Sequence, residues 1–134
     1  MTVDQLVYGY LANEESYADK SVIIEEGSTG NWVYVILEGK VNVKKKAADG
    51  LIIIDTLKAG DIFGEMAMFG QKGGIRTASV VALGPVRVGV LDTERLVRDY
   101  ESISPQLRDL MKSLIKRLKD TNNKVIALAV RSSS

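Results

Sequence analysis

The 134-residue chain contains no cysteine and no histidine. Those absences remove thiol nucleophiles, Ser-His-Asp triads, structural zinc and His-ligated iron or copper, because each needs a thiolate or an imidazole. Only oxygen-ligand metals are left, and neither a metal site nor a cofactor is expected. Long apolar runs are missing as well. Val33 to Leu37 and Leu51 to Ile54 are only strand length, far short of the ~20 residues that cross a bilayer. No charged N-region followed by an apolar stretch opens the chain, so the expected location is cytoplasmic, with no membrane partner. A chain of this length buries roughly two-thirds of the surface that it would expose unfolded, enough for one core without staples.

Charge of one sign is scarce overall, with 18 Lys+Arg against 17 Asp+Glu for a net +1. The balance hides a split. From Pro105 to Ser134 seven basic residues face two acidic ones, or +5, which leaves −4 on the rest. The basic residues are spread at helical spacing, the pattern of a solvated face and not of a nucleic-acid surface.

Val3, Leu6, Val7, Tyr10 and Leu11 recur at spacings of three and four, which predicts a short amphipathic helix opening the chain, an N-terminal helix over 1–19. Short β-branched runs then alternate with glycine: Val22 to Ile24, Trp32 to Leu37, Val41 to Lys44, Leu51 to Leu57, Thr77 to Val81 and Val86 to Leu91. Turns are expected at Glu26-Gly27, Glu38-Gly39, Asp49-Gly50, Ala59-Gly60-Asp61, Gly73-Gly74 and Gly84-Pro85. Such a pattern over 20–92 indicates an antiparallel sandwich or barrel. Helical spacing returns over 93–131. Ser104-Pro105 is an N-cap followed by proline at the first helical position, so a long helix should begin there. Leu107, Met111, Leu114, Leu118, Thr121, Val125 and Leu128 keep a 4,3 alternation over three heptads, the pattern of a coiled-coil seam, and a homodimer is expected through it. Packing of the helix back on its own sheet is the alternative. Thr121 and Asn122 are either a ligand contact or a polar device that sets the register. The closing Ser132 to Ser134 reads as a disordered tail.

The densest local signal lies between Gly60 and Val81. Small residues at Gly64 and Ala67 let a ligand approach the backbone, and amides at the start of a short helical turn can donate to an anion. Arg76 opens an apolar strand after a Gly-rich loop, and its planar fork suits two phosphate oxygens. Glu65 cannot share the anion's position; it suits a pair of hydroxyls, such as those of a ribose. An anionic ligand with vicinal polar groups fits this spacing. A Glu65–Arg76 ion pair that closes a loop fits it equally.

Phe63-Gly64-Glu65-Met66-Ala67-Met68, followed after seven residues by Arg76-Thr77-Ala78-Ser79-Val80-Val81-Ala82, resembles the phosphate-binding cassette of cyclic-nucleotide-binding domains. The stretch from Ile23 to Gly39 is similar to that family's glycine-punctuated first signature, with Ser28 in place of the more usual acidic or amide residue. Lys116 to Val125 is similar to the dimerising helix of the catabolite-activator-like sensors. The resemblance implies a mainly β jelly-roll sandwich, or double-stranded β-helix, flanked by an N-terminal helix and a long C-terminal dimerisation helix, in one domain over 1–134. It implies that Arg76 clamps a cyclic phosphate, aided by Thr77 and by the turn through Met66 and Ala67. Gly64 and Glu65 would hold the ribose 2′-OH, and Val43 and Leu57 would wall the base. Thr121 and Asn122 would reach the adenine edge, one from each subunit. Asn122 departs from the expected hydroxyl residue, and Thr77 occurs in members preferring cyclic GMP (cGMP) and in members preferring cyclic AMP (cAMP).

In the activators a helix-turn-helix domain follows the long helix; here the chain stops, and no DNA binding by it is expected. The implied function is a non-catalytic sensor for cAMP or cGMP that relays occupancy through its C-terminal helix to an unknown effector. A structural dimerisation module with a degenerate or repurposed anion pocket is the alternative.

Overall fold

A computed structural model describes residues 8–30, 32–65 and 75–133. A single 3-10 turn, Tyr8–Tyr10, leads into β1 (Leu11–Tyr17), β2 (Val22–Ile24), β3 (Tyr34–Ala47), β4 (Gly50–Lys58), β5 (Ile62–Phe63) and β6 (Ser79–Leu91). Two helices follow, α1 (Thr93–Ser102) and α2 (Pro105–Ser133). The strands pair antiparallel in the order β1-β6-β3-β4, with β2 added to β6 and β5 to β3. The fold is therefore mainly antiparallel β with C-terminal helices.

Three expectations are corrected. Leu11–Tyr17 is a strand and not part of a helix over 1–19; Leu11 pairs with Leu91 and Tyr17 with Val86, so a distant partner overrides the local spacing. Residues 1–7 lie outside the described residues. The glycines at 39 and 84 do not end strands. β3 and β6 run through them as bent strands, Glu38 opposite Arg87 and Lys40 opposite Leu83, with Gly84 to Val86 accommodated in the bend. Gly39 has φ +92°, and a Cβ there would lie 2.5 Å from the Pro85 carbonyl oxygen, so the bend needs glycine. Third, α2 continues through Ser133 where a disordered tail was expected.

The hairpin between β3 and β4 turns at Ala48-Asp49, with Ala47 opposite Gly50. Alternation from Val33 into β3 then builds two cores. Tyr34, Ile36 and Val41 join Phe63, Val80, Val86 and Val88 on one side; Val33 and Val35 join Leu91 on the other. The Tyr34 and Phe63 rings stack with centroids 4.9 Å apart.

Both helices start on side-chain caps. Asp92 accepts from the Arg95 amide at 3.1 Å, and Ser104 Oγ accepts from the Leu107 amide at 3.2 Å ahead of Pro105. Tyr10 donates to Asp99 at 2.7 Å and lies under the Arg95 guanidinium, which ties the start of the sheet to α1. α2 then crosses β3 and β4.

Candidate functional site

The segment entering β6 is fixed by the turn after β2. Ser28 closes that turn, its amide and hydroxyl both donating to the Glu25 carbonyl. Gly27 N–H donates to the Arg76 carbonyl at 2.8 Å, and Arg76 N–H donates to the Ser28 carbonyl at 2.8 Å. With its backbone held on both sides, Arg76 turns its side chain inward and is only 7% exposed. Nη1 donates to the Gly64 carbonyl at 2.8 Å and Nη2 to the Trp32 carbonyl at 2.9 Å. Gly64 has φ +84°, and a Cβ there would lie 2.8 Å from the Trp32 oxygen and 3.0 Å from Arg76 Nη1. Only glycine allows the guanidinium and the two carbonyls to converge. Burial lowers the Arg76 pKa, against the fields of Tyr34 and Glu65. The group is still a cation, as arginine is throughout the physiological range.

Beside Arg76 lies a cavity of about 310 Å³. Gly64, Glu65, Arg76 and Thr77 line one end, Val43 and Leu57 give it an apolar wall, and Asn122 reaches it from α2. These are seven of the ten residues singled out in the sequence, and the fold brings them to one space. Met66 and Ala67 lie outside the described residues. Thr121 is exposed and does not line its own chain's cavity. Glu65 is half-buried, and burial raises its pKa above the usual carboxylate value, opposed by its own backbone amide and by Arg76. The looped-back ion pair does not form: the fork of Arg76 goes to two carbonyls, and none of the described ion pairs joins it to Glu65.

Sequence reasoning missed Lys119, Asn123 and Ile126, which line the cavity from α2, and Asp55, which lines it from β4. The helical signal was present, because 119, 122, 123 and 126 follow i, i+3, i+4, i+7 spacing. That face is adjacent to the apolar seam, and Val125 belongs to both. Among the described residues no group of three or more carboxylates could hold a metal ion. None of the described helices is long and apolar enough to cross a membrane.

A cation oriented by two carbonyls, a neighbouring carboxylate and an apolar wall under a helix can hold a small anion that carries hydroxyls and a ring. The profile of the cyclic nucleotide-binding domain family matches residues 14–101. The chain belongs to this family. The "CRP-like cAMP-activated global transcriptional regulator" of Mycobacterium tuberculosis is 34% identical to it over 110 residues, 79% of this chain and 47% of that protein. Human "Cyclic nucleotide-gated channel beta-1" is 32% identical over 123 residues, 90% of this chain and 10% of the channel. The chain thus spans about half the length of the regulator and a tenth of the channel. The EAL enzyme Bd1971, solved in a "cAMP and cyclic-di-GMP bound form", superposes with a TM-score of 0.73 at 30% identity, covering 88% of this chain and 31% of that one. Arg76 and Glu65 both fall inside the matched family region, as do all six strands except the first three residues of β1.

Proposed function

We propose that the chain is a non-catalytic, cytoplasmic sensor module that binds a cyclic purine mononucleotide, cAMP first and cGMP second, and relays occupancy through α2. One observation carries the reading: a buried arginine, fixed by its own backbone and two carbonyls, opens onto a cavity shared by Glu65 and by α2. Arg76 meets the cyclic phosphate, with Thr77 beside it. Gly64 and Glu65 hold the ribose, Met66 and Ala67 add amides, and Val43 and Leu57 contact the base. Asn122 reads the base edge from the same chain and Thr121 from the partner of a homodimer.

The dimer rests on the seam. Leu107, Leu114, Leu118, Val125 and Leu128 are 47–58% exposed along one stripe of α2, apolar surface that a second α2 would cover. The sandwich is of the jelly-roll kind. cAMP and cGMP both occur in the names of Bd1971 structures similar to this chain. The alternative of a purely structural module loses its main support, since Arg76 is engaged by carbonyls and not by Glu65. Titration calorimetry with cAMP and cGMP tests the proposal. Micromolar binding corresponds to about −8 kcal/mol, and no heat and no thermal shift from either nucleotide at millimolar concentration would refute it.

A further inference from the structure

Lys45 and Glu26 do not line the cavity, yet they are tied to the residue next to Arg76. Lys45, on β3, donates through Nζ to Glu26 Oε2 at 3.0 Å and to the Thr77 carbonyl at 2.8 Å. The other carboxylate oxygen of Glu26 accepts the Lys46 amide at 3.0 Å, and the Glu26 amide donates to Ser79 Oγ at 2.8 Å. Their side chains are 25% and 15% exposed, so the contacts are partly shielded from water. Burial pushes the Glu26 pKa up, but the Lys46 amide and the Lys45 ammonium outweigh it and hold the carboxyl below its ordinary value.

Two consecutive peptides are thereby gripped by their carbonyls: Arg76 by the Gly27 amide, Thr77 by the Lys45 ammonium. In a trans peptide the N–H points opposite to the C=O, and no described peptide is cis. Each tether therefore also fixes the N–H of the following residue, Thr77 in the first case and Ala78 in the second, and both residues line the cavity.

We propose that the Lys45–Glu26 pair is a latch that positions the Arg76–Ala78 backbone for the phosphate of a bound cyclic nucleotide, although neither side chain touches the ligand. Lys45 and Glu26 are positioning residues. Resting on the sensor reading, the latch makes phosphate recognition depend on β3, the strand that α2 also crosses.

The test is calorimetry on the whole chain and on Lys45→Met, Glu26→Gln, the double variant and Lys45→Arg. The probes are cAMP, its two phosphorothioate diastereomers and its 2′-deoxy analogue. Each single variant should bind cAMP about tenfold more weakly and the double variant no more weakly than either, since one unit is broken once. The preference between phosphorothioates should change while the 2′-deoxy penalty stays constant, and Lys45→Arg should restore most of the affinity. A general loosening of the fold would move both ratios together, which would overturn the latch. If the unaltered chain binds cAMP and the variants match it within about twofold, with the same phosphorothioate preference, the latch alone is overturned. If the unaltered chain binds neither cAMP nor cGMP, the sensor reading falls and the latch with it.

Discussion

Replacement of Arg76 by alanine should act on stability and on binding by separable amounts. In the folded chain the guanidinium gives two charged hydrogen bonds, 2.8 Å to Gly64 and 2.9 Å to Trp32. Such bonds are worth about 1.5–3 kcal/mol each. Against them stands the cost of holding a guanidinium at 7% exposure, several kcal/mol before its partners are counted. The balance is a net loss of roughly 1–3 kcal/mol, because water can reach the freed carbonyls, Gly64 lining the cavity and Trp32 being exposed. A chain of this size should melt roughly 3–15 °C lower. The loss in nucleotide affinity should be larger, about 2–5 kcal/mol, because a buried phosphate is left without its cation. That is a factor of roughly 30 to several thousand in Kd. Arg76→Lys separates charge from geometry: one ammonium cannot serve both carbonyls and a phosphate, so it should fall between the alanine variant and the parent. Thermal melts and calorimetry with cAMP and cGMP read the two effects independently. An alanine variant that melts lower but binds with unchanged affinity would place the anion elsewhere and refute the reasoning.

Glu65 gives a pH test with opposite signs. Its pKa is raised, so its proton is held more tightly in the folded chain than in the unfolded one, and acidification through that range should increase stability. The same protonation replaces the charged acceptor for the ribose hydroxyl with a weaker neutral one, so cAMP affinity should be greatest above the raised value and fall as pH drops through it; an identical fall for the 2′-deoxy analogue would refute the ribose role. Leu114→Glu should turn a sedimenting dimer into a monomer, and an unaltered chain that is already monomeric at high concentration would remove the seam. Alanine at Asn122 and Asn123 should change the ratio of cAMP to cGMP affinity more than the melting temperature, and Thr121→Ala should do so only in the dimer; an unaltered ratio would mean that the base is read by other groups.

What could be read in advance was what depends on near neighbours. The cap at Ser104-Pro105 and the turn at Asp49 both work within a few residues. Leu11–Tyr17 failed because its structure is decided by β6, some seventy residues later, which supplies its hydrogen bonds. Gly39 and Gly84 failed differently. Positive φ is needed both by a tight turn and by a bend in a continuous strand, and composition does not separate the two. Lys119, like the other basic residues of α2, carries the spacing of a solvated face, and nothing in the local pattern singles out Asn123; their place at the cavity follows from which side of α2 meets β3 and β4. The acceptors that orient Arg76 are main-chain carbonyls, and no side-chain pattern records them.

The departure at Ser28 now has a physical account, and it bears on why two motifs nearly fifty residues apart belong together. The first signature does not touch Arg76 through the side chain of residue 28. It does so through main-chain atoms: Gly27 N–H, the Ser28 carbonyl and, for the guanidinium, the Trp32 carbonyl. The isolated bridge between Thr29 and Ile75 continues the same contact. What position 28 must supply is a closed turn that presents its carbonyl, and serine supplies it by donating from both its amide and its hydroxyl to Glu25. An acidic side chain at 28 would be ionised and acceptor-only, unable to donate to that carbonyl. Serine closes the turn locally and leaves the arginine to the carbonyls alone, so the orientation of Arg76 in this chain depends on backbone geometry, which is where Gly64 and the Lys45–Glu26 pair also act.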